Sequence, residues 1–313
     1  MLNKMNNKKR IICLSLLGIV FQAQAEVLVI LPESGPMARA ADSIKLGIVA
    51  AHEASKANIP LKFVNTDQKN IKDVLKQNVT KTTDMIIGPL ARTDVESLVQ
   101  TNPKISVLAL NEVAIKHPNV LQFSLSKDQD TSALMNVMQK DGVDRIFVIR
   151  QPGTENESLT FVNALFKKFP DDVNVIENIP GMRSKDGLLL LGSNQWINQF
   201  KKLPSKHVYA QAISIESNQP LPKGLKFCDV PALYQHNWAD FVKLYKEKPT
   251  NSAYQRLYAF GGDAWNIAEQ FVLNPNVKNL NLNGRTGKIK ISANQIIRLP
   301  QCYEKTRTGF NLL

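Results

Sequence analysis

Cysteine and histidine are scarce in this chain, three and four among 313 residues. Neither set has ligand spacing, so a zinc ribbon and a disulfide-dense scaffold are both excluded. Glycine (15) and proline (16) are too few for a collagen-like or low-complexity chain. No G-x-x-x-x-G-K-[ST] and no G-x-G-x-x-G occurs, so nucleotide binding by those loops has no basis. No G-x-S-x-G nucleophile elbow occurs either. His52-Glu53 begins like a zincin motif but lacks a second histidine four residues on, and His117, His207 and His236 stand alone. No apolar run reaches the roughly 20 residues of a membrane helix. These residues call for no metal and no cofactor. What is present, 43% hydrophobic and 21% charged residues, suits a globular chain with one large domain or two lobes.

Residues 1–25 read as an export signal. Lys4, Lys8, Lys9 and Arg10 precede an apolar run from Ile11 to Phe21 that is interrupted by Ser15. Ala23-Gln24-Ala25 then sets small residues where signal peptidase reads. The alternatives are an uncleaved anchor, for which a run of about 11 residues is short, or a buried helix. Cleavage after Ala25 leaves 288 residues, removes four basic side chains and no acid, and lowers the formal charge from +12 to +8. Cys13 follows Arg10-Ile11-Ile12 rather than small residues, so the expectation is a soluble periplasmic protein without a lipid anchor. Cys228 and Cys302 remain, and in an oxidising compartment they are expected to pair. Such a bridge closes a long loop and stabilises by about 4 kcal/mol on the chain-entropy account. Two buried free thiols are the alternative.

Beyond residue 25 the chain alternates short apolar runs with helix-period segments. Expected strands are Val27–Leu31, Leu61–Val64, Met85–Ile87, Ile105–Leu110, Val120–Leu125, Arg145–Ile149, Val173–Ile179, Leu188–Leu191 and Val208–Ile213. Helices are expected between them, with Thr93 and Glu96 forming a capping box for one and Asn194–Leu203 forming another. This alternation predicts an α/β protein with parallel sheets covered on both faces by helices and joined by right-handed crossovers. The pattern occurs twice, before and after about residue 123. Trp238–Glu247 and Tyr254–Leu273 are expected helices, and the stretch from Asn283 reads as hairpins or short strands.

Ser124-Leu125-Ser126-Lys127 matches the S-x-x-K of penicillin-recognising enzymes, with Arg285-Thr286-Gly287 and Ser292-Ala293-Asn294 as loose counterparts of K-T-G and S-x-N. The order of the last two is reversed. The Ser and Lys must also share one helical turn so that the amine reaches the hydroxyl, whereas here the motif ends a predicted strand. We therefore expect no catalytic residues. The basic excess is diffuse, with pairs at Lys167-Lys168 and Lys201-Lys202 and a loose Lys243/Lys246/Lys248 group. It reads either as solvated helix faces or as attraction to an anionic partner in the envelope. Without clustered aromatics, nucleic acid is not expected.

Several stretches carry a family resemblance. Val29-Ile30-Leu31-Pro32-Glu33-Ser34-Gly35-Pro36-Met37-Ala38, Ile86-Ile87-Gly88-Pro89-Leu90 and Ser106-Val107-Leu108-Ala109-Leu110-Asn111 resemble strand–loop units of the type I periplasmic-binding-protein fold. Arg256-Leu257-Tyr258-Ala259-Phe260-Gly261-Gly262-Asp263-Ala264-Trp265 and Leu282-Asn283-Gly284-Arg285-Thr286-Gly287-Lys288-Ile289 resemble the C-terminal domain of the penicillin-binding-protein activators. Two departures accompany this. Only 25 residues precede the first predicted strand, where that family usually has a helical-repeat domain, and no lipobox is visible.

The resemblance implies two lobes of parallel sheet flanked by helices. Residues 26–123 plus about 236–283 would form the first. Residues 124–235 plus about 284–313 would form the second and the hinge crossings. Loops after the strands would face a cleft. This makes Ser34, Gly35, Arg92, Asn111, Gln151 and Thr154 the ligand candidates, and Arg92 either clamps a carboxylate or pairs with Asp94. The resemblance further implies a non-catalytic periplasmic regulator that binds and stimulates a class A peptidoglycan synthase, a penicillin-binding protein. The same fold also serves ABC importers, as the soluble component that traps a small polar ligand such as an amino acid.

Overall fold

Apolar runs too short for helices form the strands of two sheets. The computed structural model describes residues 25–313 apart from 170, 201, 204, 205, 217 and 218. The stretch read above as an export signal, with Cys13, lies outside the described residues apart from Ala25. In the first half, β1 (Glu26–Leu31), β2 (Leu61–Asn65), β3 (Thr83–Ile87), β4 (Ser106–Ala109) and β5 (Val120–Gln122) alternate with α1 (Ala38–Ser55), α2 (Ile71–Asn78) and α3 (Arg92–Gln100). The strands form one wholly parallel sheet in the order β2-β1-β3-β4-β5. Both faces are covered. Leu28, Ile30, Ile86 and Val107 pack against Val74 and Val95 of α2 and α3. Val27, Val29, Met85 and Ile87 pack on the opposite side, against Ile44 and Ile48 of α1.

The second half repeats the pattern. It runs through α4 (Lys127–Lys140), β6 (Arg145–Arg150), α5 (Glu155–Lys168), β7 (Val173–Ile176), β8 (Asp186–Leu191), α6 (Asn194–Ile197), β9 (Val208–Ala210) and β10 (Lys226–Asp229). The C-terminal part adds α7 (Ala239–Glu247), α8 (Ser252–Leu273), β11 (Asn279–Gly284), β12 (Gly287–Ser292), β13 (Gln295–Leu299), β14 (Gln301–Lys305) and β15 (Phe310–Leu312). The second sheet has the order β15-β14-β10-β9-β8-β6-β7. Its five inner and edge strands from β10 to β7 are parallel, while β14 and β15 add in antiparallel fashion. Cys228 and Cys302 face each other in the β10–β14 register and are joined by a disulfide.

Three local readings change. Ala91, not Thr93, is the N-cap of α3, and no side chain caps that helix, so the capping box does not form. The helix expected over 194–203 is one turn, Asn194–Ile197, capped by the Ser193 hydroxyl. The last thirty residues divide. β11–β13 form an antiparallel sheet whose Ile289, Ile291 and Ile296 pack with Trp265 and Ala268 in the first core, and residues from Gln301 onward join the second sheet.

Helix α8 is the member that ties the molecule together. It packs along α1 so closely that neither helix tolerates a side chain at the crossing. A Cβ on Gly47 would lie 2.1 Å from the Tyr258 carbonyl oxygen, and one on Gly261 would lie 2.1 Å from that of Ile44. Trp265 is fully buried and donates its indole N–H to the Ser55 hydroxyl at 3.2 Å.

Candidate functional site at the lobe junction

Three segments carry the chain between the first core, on which β11–β13 pack, and the second sheet: Phe123–Ser126 from β5 to α4, Val230–Trp238 from β10 to α7, and Pro300 between β13 and β14. Charged side chains are buried where these segments meet. Burial of a charge is costly unless it is paired, and here each has partners. Arg256 of α8 grips Asp229 at the end of β10 with Nε and Nη2, at 2.8 and 2.7 Å. Its Nη2 also donates to the Ala212 and Ile215 carbonyls at 2.7 and 2.9 Å. Burial alone would lower the Arg256 pKa; the Asp229 carboxylate outweighs it and holds the guanidinium charged. Tyr234 donates to Asp229 at 2.7 Å, and burial beside that carboxylate pushes its phenol well above the ordinary range.

A second pair joins the lobes from the other direction. Arg298 of β13, 1% exposed, donates to Asp130 of α4 at 2.5 Å and to the Thr286 carbonyl at 3.3 Å. Between these two pairs lies a cavity of about 130 Å3 lined by Leu125, Lys127, Asp130, Asp229, Arg256 and Arg298. Beside it, Asp263 accepts hydrogen bonds from the Arg285 and Thr286 amides and from the Thr286 hydroxyl, each at 2.7 Å. Burial raises the Asp263 pKa, and Arg285 with Thr286 works against that rise. Arg285 also reaches Asp240 of α7 at 2.6 Å. The Asp-Ala-Trp and Gly-Arg-Thr-Gly stretches are thus two halves of one buried clamp.

The cleft residues singled out in the sequence fall into two groups. Ser34 and Gly35 lie in the exposed turn after β1, with Gly35 at φ 75°. Ser34 bonds Asp67; burial pushes that carboxyl up, but the Ser34 hydroxyl and the Glu33 and Ser34 amides outweigh it and hold the pKa below its ordinary value. Arg92 is the exposed first residue of α3, and among the described residues it forms no ion pair with Asp94. Burial raises the Asp94 pKa. Asn111 is spent on the backbone: its amide donates to the Leu90 carbonyl at 3.0 Å and its oxygen accepts from the Glu112 amide at 2.9 Å.

Gln151 and Thr154 follow β6 and share a cavity of about 290 Å3 with Glu157, Ser193 and Gln211. Its lining comes wholly from the second lobe. Gln151 Oε1 accepts from the Ser193 amide at 2.7 Å, and Thr154 donates to the Gln151 carbonyl at 2.9 Å. The side chains of Ser34, Asn111, Gln151 and Thr154 thus each hold a loop in the structure.

The serine-hydrolase arrangement is not assembled. Ser124 lies in the crossing segment, and α4 begins only at Lys127, after Ser126 in extended conformation. The Lys127 amine faces Asp130 at 3.6 Å. Arg285-Thr286 is held by Asp263, and Ser292 ends β12 while Ala293-Asn294 form the turn to β13.

The family model described as LppC putative lipoprotein matches residues 12–158 and 196–303. The chain belongs to the LppC family. Among curated relatives, the penicillin-binding protein activator LpoA of Haemophilus ducreyi is 25% identical over 298 residues, covering 86% of this chain and 51% of that protein. LpoA of Pasteurella multocida is 24% identical, covering 91% of this chain and 54% of its own length. This LppC-family chain therefore spans about half the length of the curated relatives it matches. Full-length LpoA from Haemophilus influenzae superposes with a TM-score of 0.76 at 20% identity, over 93% of this chain and 59% of that one. The LpoA C-domain from the same organism, described as a regulator of PBP1A, gives 0.74 at 20% identity and is covered completely, over 92% of this chain. A putative branched-chain amino acid ABC transporter structure from Chromobacterium violaceum also gives 0.74, at 21% identity, over 90% of this chain and all of that one. These likenesses establish the periplasmic-binding-protein-like α/β fold.

Proposed function

We propose that this chain is a non-catalytic periplasmic regulator that binds a class A penicillin-binding protein and stimulates its peptidoglycan synthesis. The observation that carries the proposal is the match to penicillin-binding protein activators across 86% of the chain. Two features of the molecule support it. The buried charges at the junction are consumed in pairs that hold the lobes, which suits a protein working through its surface. The S-x-x-K serine lies outside a helix, which leaves it without an adjacent amine on the same turn. Among the described residues no helix is long and apolar enough to cross a membrane. The disulfide fits an oxidising compartment.

A second reading, trapping of a small polar solute for an importer, is favoured by one observation: the 290 Å3 cavity beside Gln151 and Thr154 also has Glu157, Ser193 and Gln211 in its lining. A melting-temperature screen separates the two. A ligand at 100 times its dissociation constant stabilises by about 2.7 kcal/mol. We expect no shift with amino acids, together with co-purification of a class A penicillin-binding protein from detergent-solubilised envelope. A clear shift with one amino acid and no co-purified synthase would move the assignment to solute capture.

A further inference from the structure

The outward face of the β11–β13 sheet has no counterpart in the parallel sheets and takes no part in the junction clamp. Its inward positions, Leu280, Leu282, Ile289, Ile291 and Ile296, cover α8. The period of two along each strand sends the alternate residues to solvent. Cross-strand register arranges them as three rows: Asn279, Ser292 and Gln295; Asn281, Lys290 and Ile297; Asn283, Lys288 and Leu299. The three asparagines and both lysines are exposed, and Ile297 and Leu299 are 44% and 47% exposed.

The charge of this face has one sign. From residue 270 to residue 303 the chain contains no Asp or Glu, yet it holds Lys278, Arg285, Lys288, Lys290 and Arg298. The two arginines point inward and are neutralised by Asp240, Asp263 and Asp130. Lys278, Lys288 and Lys290 are exposed, and among the described residues no carboxylate pairs with them. An uncompensated cationic row beside two bare aliphatic side chains is electrostatically and chemically complementary to carboxylates around an apolar spot. The face lacks any aromatic ring on which a sugar could stack, which favours a protein over a glycan strand.

We infer that this face docks an acidic protein surface with an apolar centre, Lys288 and Lys290 meeting its carboxylates and Ile297 and Leu299 its apolar spot. Taking the occupant to be the penicillin-binding protein rests on the function proposed above. Strands about 4.8 Å apart and same-face residues about 6.8 Å apart give the nine positions a footprint of roughly 300 Å2. A stable interface buries about 800 Å2 per partner, so this patch is the steering and anchoring part of a salt-sensitive contact.

The test uses the full chain expressed in its own cells, with a photo-crosslinking amino acid at Asn281. The same probe is placed in a second version carrying Lys288→Glu and Lys290→Glu, and in a third carrying Lys72→Glu and Lys76→Glu on the exposed side of α2. We expect an adduct with the class A penicillin-binding protein, reduced at least about tenfold by reversal on the sheet and unchanged by reversal on α2. All three versions should melt at the same temperature, since these lysines are exposed. Absence of an adduct, an adduct with glycan or lipid alone, or an adduct indifferent to the sheet reversal overturns the inference. A reversal-sensitive adduct with a different, identified acidic protein upholds the docking face and removes the synthase as its occupant.

Discussion

Arg256 shows how the residues of this molecule are used. One guanidinium makes four hydrogen bonds, two to a carboxylate and two to carbonyls of the loop after β9. Removing one member of such a pair strands the other charge in a dry site. Arg256→Leu is therefore expected to cost about 3–5 kcal/mol, and Arg256→Met combined with Asp229→Leu to recover most of that; urea denaturation of both variants checks it. Asp186 gives a pH-dependent counterpart. The Arg145 fork, at 3.0 and 2.9 Å, holds its carboxyl below the usual value, outweighing burial. A depressed carboxyl stabilises the fold above its unfolded pKa and loses that contribution as pH falls through the folded value. The melting-temperature gap between the wild type and Asp186→Asn should thus be widest near neutrality and close as pH drops below about 3.8. A gap that is constant with pH would contradict the ion pair. At this scale the sequence was only partly legible. Asp263 is a lone acid in the apolar stretch Leu257–Ala268, which signals that partners must exist, but Arg285 and Thr286 lie some twenty residues away and only the fold brings them to it. The cleft candidates fared differently: their residue types suit ligands, yet Asn111, Gln151 and Thr154 are bonded to nearby backbone.

Among elements, the strands were the most readable, because a buried parallel strand is a short unbroken apolar run. The edges were less so. β14 and β15 alternate polar and apolar residues over few positions; β14 depends on pairing with β10 and β15 on pairing with β14, which no local pattern announces. The helix expected after Ser193 stops at one turn. The glycine pair at the α1–α8 crossing is a stronger constraint than helix propensity, which would favour alanine at both sites. Gly261→Ala is expected to destabilise by about 3 kcal/mol despite that propensity gain, because its methyl group meets the Ile44 carbonyl at 2.1 Å. A urea titration showing a neutral or stabilised variant would mean that the two helices are not in this contact.

At the scale of the whole molecule, the described residues form two large sheets and the small β11–β13 sheet, the chain crosses three times between the two cores, and buried ion pairs fasten the crossings on both sides. The chain's division into layered halves followed from the repeated strand–helix pattern, and its resemblance to the penicillin-binding-protein activators from the C-terminal motifs that the structure resolves into a clamp. Which surface meets a partner was not legible from those motifs, because they are turned inward. The most direct measurement is glycan polymerisation by the purified class A penicillin-binding protein of the same organism, with and without residues 26–313 of this chain. A several-fold rise in rate that saturates with added protein is the predicted result. An unchanged rate at saturating protein would contradict the proposal that this chain stimulates peptidoglycan synthesis.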